Sequence, residues 1–193
     1  IFRMTELQGS TLALGTQPQD LITDYWTTDP GDRRSQITLD HLLSLRSGFN
    51  AGPLEGGCVL LLVGTLQSCT RSIHFSRFDN RYQPGTAFSY GPHHLQIAAA
   101  MAELAGGNNF TALFATHLTL PLRMSNTRYT KSSNANPWVA GGIRTTARDY
   151  SQFLFALLDG SYINDVDGFL QSRSTHAIPH YPQTSASNAS GPR

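Results

Sequence analysis

One stretch decides how this chain folds, and it reads Ile37-Thr38-Leu39-Asp40-His41-Leu42-Leu43-Ser44-Leu45-Arg46-Ser47-Gly48-Phe49. Thr38 is of a residue type that caps helix N-termini, because its hydroxyl accepts a hydrogen bond from a free backbone N–H group. Leu39, Leu42 and Leu43 follow at the spacing of a helical apolar face. Glycine ends helices by adopting a left-handed conformation, so Gly48 is the expected stop. The stretch therefore predicts a helix over 38–48.

Two further stretches follow in a fixed order. The second reads Pro84-Gly85-Thr86-Ala87-Phe88-Ser89-Tyr90, and the third reads Ala140-Gly141-Gly142-Ile143-Arg144-Thr145-Thr146-Ala147-Arg148-Asp149. Any one of the three stretches alone is a weak signal, whereas their order and spacing together are moderately specific.

In this order, the three stretches resemble landmarks of the serine β-lactamase-related family, which includes class C β-lactamases, penicillin-binding proteins, D-peptidases and esterases. The resemblance covers roughly residues 1–160. It implies an α+β fold in which a helical region packs on an antiparallel sheet built from both chain ends. This chain would hold mainly the helical region, with most of the sheet missing. The implied activity is hydrolysis of a small amide or ester through an acyl-serine intermediate, without a cofactor.

The serine and lysine that this chemistry needs do not occur together here. The family carries them as S-x-x-K, one helical turn apart, so that both side chains point the same way. Ser10-Thr11-Leu12-Ala13 has alanine where lysine is required, and Arg128 stands three residues before Lys131. The resemblance implies that Ile1 to Leu7 is the tail of the nucleophile helix, and that the serine and lysine precede Ile1. We therefore expect this chain to be an inactive fragment of a longer protein that is itself active.

Tyr90 is the candidate catalytic residue, because it matches the tyrosine of the family's Y-x-N motif. That tyrosine serves as a general base or proton relay, and an ordinary phenol with a pKa near 10 needs cationic neighbours to do so. Tyr90-Gly91-Pro92 has proline where the family has asparagine. The loss of the asparagine also supports an alternative: a degenerate relative that binds a ligand or partner without catalysis. No late K-T-G or H-x-G motif is found, so the substrate-binding residues stay unassigned.

The rest of the chain reads as helices joined by loops. Apolar periodicity predicts a mainly α-helical unit over 1–170, and residues 171–193 are polar and expected to be disordered. The helical segments are 1–9, 68–79, 93–105, 110–118 and 146–159; 50–57 and 80–92 are loops, and 58–66 fits either a buried strand or a helix. In 93–105 the expected apolar face is Leu95, Ala98, Ala99, Met101 and Leu104; in 146–159 the expected buried stripe is Tyr150, Phe153, Leu154 and Leu157.

Composition excludes several function classes. The 193 residues carry a net charge of +1 and only 14% charged side chains, which argues against a nucleic-acid surface. No apolar run is long enough to span a membrane. His176 and His180 have a metal-pair spacing that Pro179 disrupts, and Asp165 with Asp167 fits a solvated turn, so no metal site is predicted.

Two features favour secretion. Cys58 and Cys69 lie eleven positions apart, and they fit either two buried free thiols or a disulfide that would contribute about 3 kcal/mol. Asn109-Phe110-Thr111 and Asn188-Ala189-Ser190 match the N-glycosylation pattern. Together they indicate a secreted or extracytoplasmic protein.

Overall fold

Seven α-helices and four short strands form the part of the chain that the computed structural model describes, residues 1–7, 9–49, 57–61, 63–76, 82–130, 132–133, 135–164 and 166. The helices are α1 (Phe2–Thr5), α2 (Leu39–Leu43), α3 (Cys58–Leu61), α4 (Leu66–Ser76), α5 (His93–Gly106), α6 (Phe110–Phe114) and α7 (Ala147–Leu158). Two 3₁₀ turns occupy Pro18–Asp20 and Arg33–Gln36, and a π-helical turn, Ala115–Thr119, continues α6. The mainly α-helical prediction is confirmed.

The strands form two separate antiparallel pairs. β1 (Arg128–Tyr129) pairs with β4 (Ile143–Arg144), and β2 (Ser132–Ser133) pairs with β3 (Asn136–Pro137). Each strand has only two residues, so no extended sheet exists within the described residues. This agrees with the expectation that the chain holds the helical region of an α+β fold.

Helix α5 lies at the centre and packs against α2, α4 and α6. Residues 97–102, Ile-Ala-Ala-Ala-Met-Ala, are all fully buried, so the middle of α5 is enclosed on every side rather than along one stripe. Leu104, predicted on the buried face, is instead 44% exposed, because the helix leaves the core before Gly106. The helix ends as predicted, with Gly107 as the left-handed C-cap.

Helix α2 is shorter than the sequence predicted. It begins after Thr38 but ends at Leu43, and the left-handed residue that terminates it is Leu45, with a φ of 57°. The Leu45 N–H bonds the Leu42 carbonyl and the Arg46 N–H bonds the His41 carbonyl, the hydrogen-bond pattern of a Schellman cap. Gly48 also has a positive φ but lies in the loop beyond. The prediction was wrong because it assigned the stop to glycine, whereas this helix ends on a leucine.

A buried pair of amide side chains joins α5 to the β2–β3 hairpin. Gln96 Nε2 donates to Asn136 Oδ1 at 2.8 Å and to the Pro137 carbonyl at 2.9 Å. Asn136 Nδ2 in turn donates to the backbone carbonyls of Cys58 and Val63. Both amides are fully buried. Since a buried amide without partners is costly, these bonds fix where the hairpin and the start of α3 meet α5.

A disulfide links α3 to α4. Cys58 and Cys69 are bonded, with their Cα atoms 5.3 Å apart, which settles the alternative left open by the sequence in favour of the bond. The ambiguous segment 58–66 is helical from Cys58 to Leu61, not a strand. The predicted helix 68–79 is α4, Leu66–Ser76, which starts earlier than predicted; residues 77–79 lie outside the described residues.

Helix α7 does not bury the stripe that its periodicity predicted. Tyr150 is 51% exposed and Leu154 is 41% exposed, and Phe155 and Leu158 are also largely exposed. Phe153 and Leu157 of the predicted stripe are half-buried, with the Phe153 ring against Tyr162, and the helix fully buries only Asp149 and Ala156. Periodicity identified the helix correctly but could not show that its apolar face is only partly covered by the described residues.

None of the helices in the described ranges combines the length and the apolar character needed to cross a bilayer. The predicted polar tail, 171–193, lies outside the described residues. The predicted boundary at residue 170 lies there as well.

Candidate functional site

The segment after α2 binds the second stretch through the backbone. The Gly85 N–H donates to the Arg46 carbonyl at 2.8 Å, and the Ser89 N–H donates to the Leu45 carbonyl at 2.9 Å. The Arg46 guanidinium donates to the Gly85 carbonyl at 3.5 Å and forms a salt bridge with Asp40 at 3.0 Å. The first two predicted stretches therefore lie side by side. Tyr90 directly follows Ser89, the last residue that these hydrogen bonds hold in place.

His41 connects the cap of α2 to the second stretch. The Thr38 hydroxyl accepts from the His41 N–H, and the Thr38 N–H donates to His41 Nδ1, each at 3.3 Å, so the two residues cap each other. Burial lowers the pKa of His41, and the Arg46 guanidinium lowers it further, against the opposing effect of Asp40. The resulting neutral imidazole is the form that can accept a hydrogen bond at Nδ1.

Gly85 makes close contact with the His41 ring possible. Gly85 has a φ of +88°, and a Cβ built on it would lie 2.8 Å from His41 Nε2. Only glycine satisfies both the left-handed backbone and this approach without displacing the ring. The glycine of the second stretch therefore serves packing against the histidine of the first.

Tyr90 lies just before α5 and points largely into solvent, with 73% of its surface exposed. Within the described part of the chain, its hydroxyl has no hydrogen-bond partner. Pro92, which stands where the family has asparagine, is the N-cap of α5 and offers no side-chain hydrogen bond. The catalytic role of Tyr90 stays a prediction.

A cavity lies elsewhere, beside α6. Its volume is about 390 Å³, and it is lined by residues of α1, α6 and the π-helical turn together with Phe153, Tyr162 and Ile163. The Tyr162 hydroxyl donates to the His117 carbonyl at 2.6 Å, and burial raises the pKa of Tyr162 to about 12. Tyr90 does not line this cavity, which lies at α6 rather than at the N-terminus of α5.

The third stretch forms a turn, a strand and the start of α7. A Cβ on Gly142 would lie 2.8 Å from the Trp138 carbonyl, so the glycine permits the chain to double back there. Asp149 is almost fully buried and accepts hydrogen bonds from the Asn126 N–H at 2.7 Å and the Thr127 hydroxyl at 2.9 Å. Burial raises the pKa of Asp149, but these hydrogen bonds outweigh it and hold the pKa below its usual value.

The first two stretches meet at the N-terminus of α5, and the residue just before the third stretch also contacts this helix. Ser47 of the first stretch bonds His94, the Leu45 carbonyl accepts from the Ser89 N–H of the second, and Gln96 Oε1 accepts from the Val139 N–H at 3.4 Å. The structure therefore brings together segments that are separated by up to a hundred residues of sequence.

One pair at this junction was missed by the sequence analysis. Ser47 Oγ lies 2.7 Å from His94 Nδ1, and both residues are fully buried. Burial lowers the pKa of His94 to about 3, with His93 contributing, so the ring is neutral at physiological pH. The sequence showed only that His93 and His94 start a helix, which is confirmed; their separation from Ser47 by nearly fifty positions left no local signal of the contact.

The remaining predicted site residues are accounted for as follows. Asn109 is exposed and caps α6 by accepting a hydrogen bond from the Ala112 N–H at 2.9 Å, so its glycosylation stays a prediction. Asn188, His176, His180, Asp165 and Asp167 lie outside the described residues. Within the described ranges, no cluster of three potential metal ligands is present.

Comparison with known proteins identifies relatives of this fold. The sequence profile of the family described as Beta-lactamase matches residues 14–186. Among solved structures, a putative β-lactamase from Bacteroides dorei superposes with a TM-score of 0.71 and 26% identity, covering 90% of this chain and 53% of that one. No curated protein sequence gives a significant match.

Two more distant structures share the fold. FmtA from Staphylococcus aureus has a TM-score of 0.64 and 12% identity, covering 82% of this chain and 48% of its own. A β-lactamase/D-alanine carboxypeptidase from Yersinia pestis has a TM-score of 0.58 and 19% identity, with coverages of 75% and 46%. The chain thus spans about half the length of the structures that it matches.

The contact between Gly85 and His41 gives a first prediction. Gly85→Ala should lower the free energy of unfolding by about 1–3 kcal/mol more than Gly107→Ala, because overpacking against the ring adds to a strained φ. Gly107 is the matched control, since its φ is +63° and nothing lies within 4 Å of a Cβ built there. Urea unfolding of both variants measures the difference. Equal losses would mean that the ring moves freely aside.

Proposed function

The chain belongs to the β-lactamase family, and from this membership we propose that the protein of which it is part hydrolyses an amide or ester through an acyl-serine intermediate. The observation that carries the proposal is the meeting of the first two family landmarks at the N-terminus of α5, with Val139, just before the third landmark, bonded to Gln96 of the same helix. Accidental similarity of short stretches would not account for this arrangement. The proposal concerns the whole protein, because the chain spans only about half the length of the structures that it matches.

Tyr90 is the residue of this chain that we assign to the chemistry. In acyl transfer, a group near the nucleophile must accept the serine proton and later return it to the leaving group. The Tyr90 hydroxyl is exposed and unbonded within the described residues, so it is available for that exchange. A lysine of an S-x-x-K motif would supply the positive charge that a phenol needs to act as a base at neutral pH.

Acylation tests the proposed function directly. The full-length protein should form a stoichiometric covalent adduct on the serine of its S-x-x-K motif when incubated with a chromogenic cephalosporin or a short-chain p-nitrophenyl ester. The 193-residue chain alone should form none, because it has no such motif. Intact-mass spectrometry measures both. An adduct on any serine of the chain alone would overturn the assignment of the nucleophile, and no adduct on either protein would overturn the reaction.

Replacement of Tyr90 tests its role. In the full-length protein, Tyr90→Phe should lower kcat by about 100-fold or more, the usual scale for a lost acid–base group. Folding should be unaffected, because the lost hydroxyl is exposed and unbonded within the described residues. Tyr150→Phe is the matched control, an exposed tyrosine on α7 that should leave kcat unchanged. Unchanged turnover in Tyr90→Phe would remove Tyr90 from the mechanism.

A second candidate function is binding without catalysis, and Pro92 favours it. The position can neither donate nor accept through a side chain, so a contact that helps hold substrate in the family is lost. A degenerate relative would bind a β-lactam or ester at saturable affinity and show no covalent adduct. Calorimetric titration run beside the mass measurement therefore distinguishes the two functions.

We also propose that the protein is secreted or otherwise extracytoplasmic. The Cys58–Cys69 disulfide supports this, because such bonds persist in oxidising compartments. Protein isolated from its native source under alkylating conditions should show neither cysteine labelled until it is reduced. Labelling of both thiols without a reductant would place the protein in a reducing compartment.

A further inference from the structure

The segment around Tyr90, residues 89–94, is held at both ends by hydrogen bonds to the segment after α2. At one end, the Ser89 N–H donates to the Leu45 carbonyl at 2.9 Å. At the other, His94 Nδ1 and Ser47 Oγ share a hydrogen bond of 2.7 Å. Only four residues, 90–93, separate the two anchored positions, so the backbone of Tyr90 has little freedom to turn.

Burial makes the hydrogen bond between Ser47 and His94 costly to break. Ser47 and His94 are fully buried, and Ser89 is 5% exposed, whereas Tyr90 between them is 73% exposed. Water cannot replace the partner of either side chain, so breaking the pair would leave two buried polar groups unsatisfied. His93 is the titratable group beside His94, and it opposes a positive charge on the ring, as burial does. A neutral ring keeps the hydrogen bond intact over the physiological pH range.

A serine hydrogen-bonded to a histidine is also the geometry of an activated nucleophile. That function is excluded here by access, because neither Ser47 nor His94 has any exposed surface from which to reach a substrate. The role of their hydrogen bond is therefore structural, because it joins the segment after α2 to the start of α5.

We propose that Ser47 and His94 form a positioning pair that fixes the direction in which the Tyr90 side chain leaves the start of α5. The inference rests on the proposed function, since it takes Tyr90 to act in acyl transfer. A general base must lie within hydrogen-bond reach of the proton that it moves, and small displacements of such a group cost large factors in rate. The pair acts on catalysis only through Tyr90.

A double-mutant comparison in the full-length protein tests this. Ser47→Ala should lower kcat about tenfold or more with KM nearly unchanged. In the Tyr90→Phe background, the same substitution should lower kcat no further, because the group being positioned is already gone. A purely structural role for Ser47 would reduce kcat by the same factor in both backgrounds, and that result would overturn the proposal.

Thr70→Ala is the matched control. Thr70 is also fully buried, and its hydroxyl donates to the Leu66 carbonyl at 2.9 Å within α4, away from Tyr90. It should lower the thermal midpoint without lowering kcat. An equal loss of kcat in Thr70→Ala would show that lost stability, not lost positioning, explains the Ser47 result.

Hydrogen exchange separates failure of this inference from failure of the proposed function. In the full-length protein, the Ser89 amide should exchange faster in Ser47→Ala than in the unmodified protein, and no faster in Thr70→Ala. If Tyr90→Phe retains full turnover, the catalytic role of Tyr90 fails and this inference fails with it. If Tyr90→Phe is slow but Ser47→Ala keeps normal kcat and normal exchange at Ser89, only the positioning pair is overturned.

A second variant covers the case in which Ser47→Ala does not fold. His94→Leu keeps a side chain of similar size but has no atom that can hydrogen-bond Ser47 Oγ. It should fold and show the same fall in kcat and the same dependence on Tyr90. Unchanged kcat in a folded His94→Leu variant would overturn the proposal.

Discussion

The burial of the middle of α5, residues 96–102, is the constraint on which the rest of the structure depends. A helix enclosed on every side can carry polar side chains only where each finds a partner. His94 and Gln96, near its start, are both fully buried, and one bonds Ser47 while the other bonds Asn136. These two contacts lie two residues apart on the helix, so they fix both its rotation and its position along its axis. The apolar residues 97–102 then pack in a register already determined.

This arrangement shows which structural roles the landmark residues have. Thr38 and His41 cap α2, and Gly85 leaves room for the His41 ring. Asp149, in the first turn of α7, holds the turn at Asn126 and Thr127. Residues of the first two landmarks thus build the junction at the start of α5, from which Tyr90 extends into solvent. Most of these landmark residues therefore have structural roles, and Tyr90 is the one to which we assign a chemical role.

Local rules predicted the parts of the fold that local physics controls. The start of α2 at Thr38, the end of α5 at Gly107 and the cap of α7 at Thr146 all follow from short-range hydrogen bonds. The end of α2 was missed because Leu45 takes the left-handed conformation at a position where glycine is expected. Contacts such as Gln96 with Asn136, forty positions apart, have no local signature. For the same reason, Tyr90 could be named from its motif, but its separation from the cavity at α6 could not be predicted.

The exposed face of α7 has a practical consequence. Tyr150, Leu154, Phe155 and Leu158 present large apolar side chains to water along one short helix. Apolar surface of this kind promotes association between copies of a protein as the concentration rises. This face therefore limits the concentration at which the isolated chain stays monomeric. A solubilising fusion partner, or charged replacements along α7, would raise that concentration.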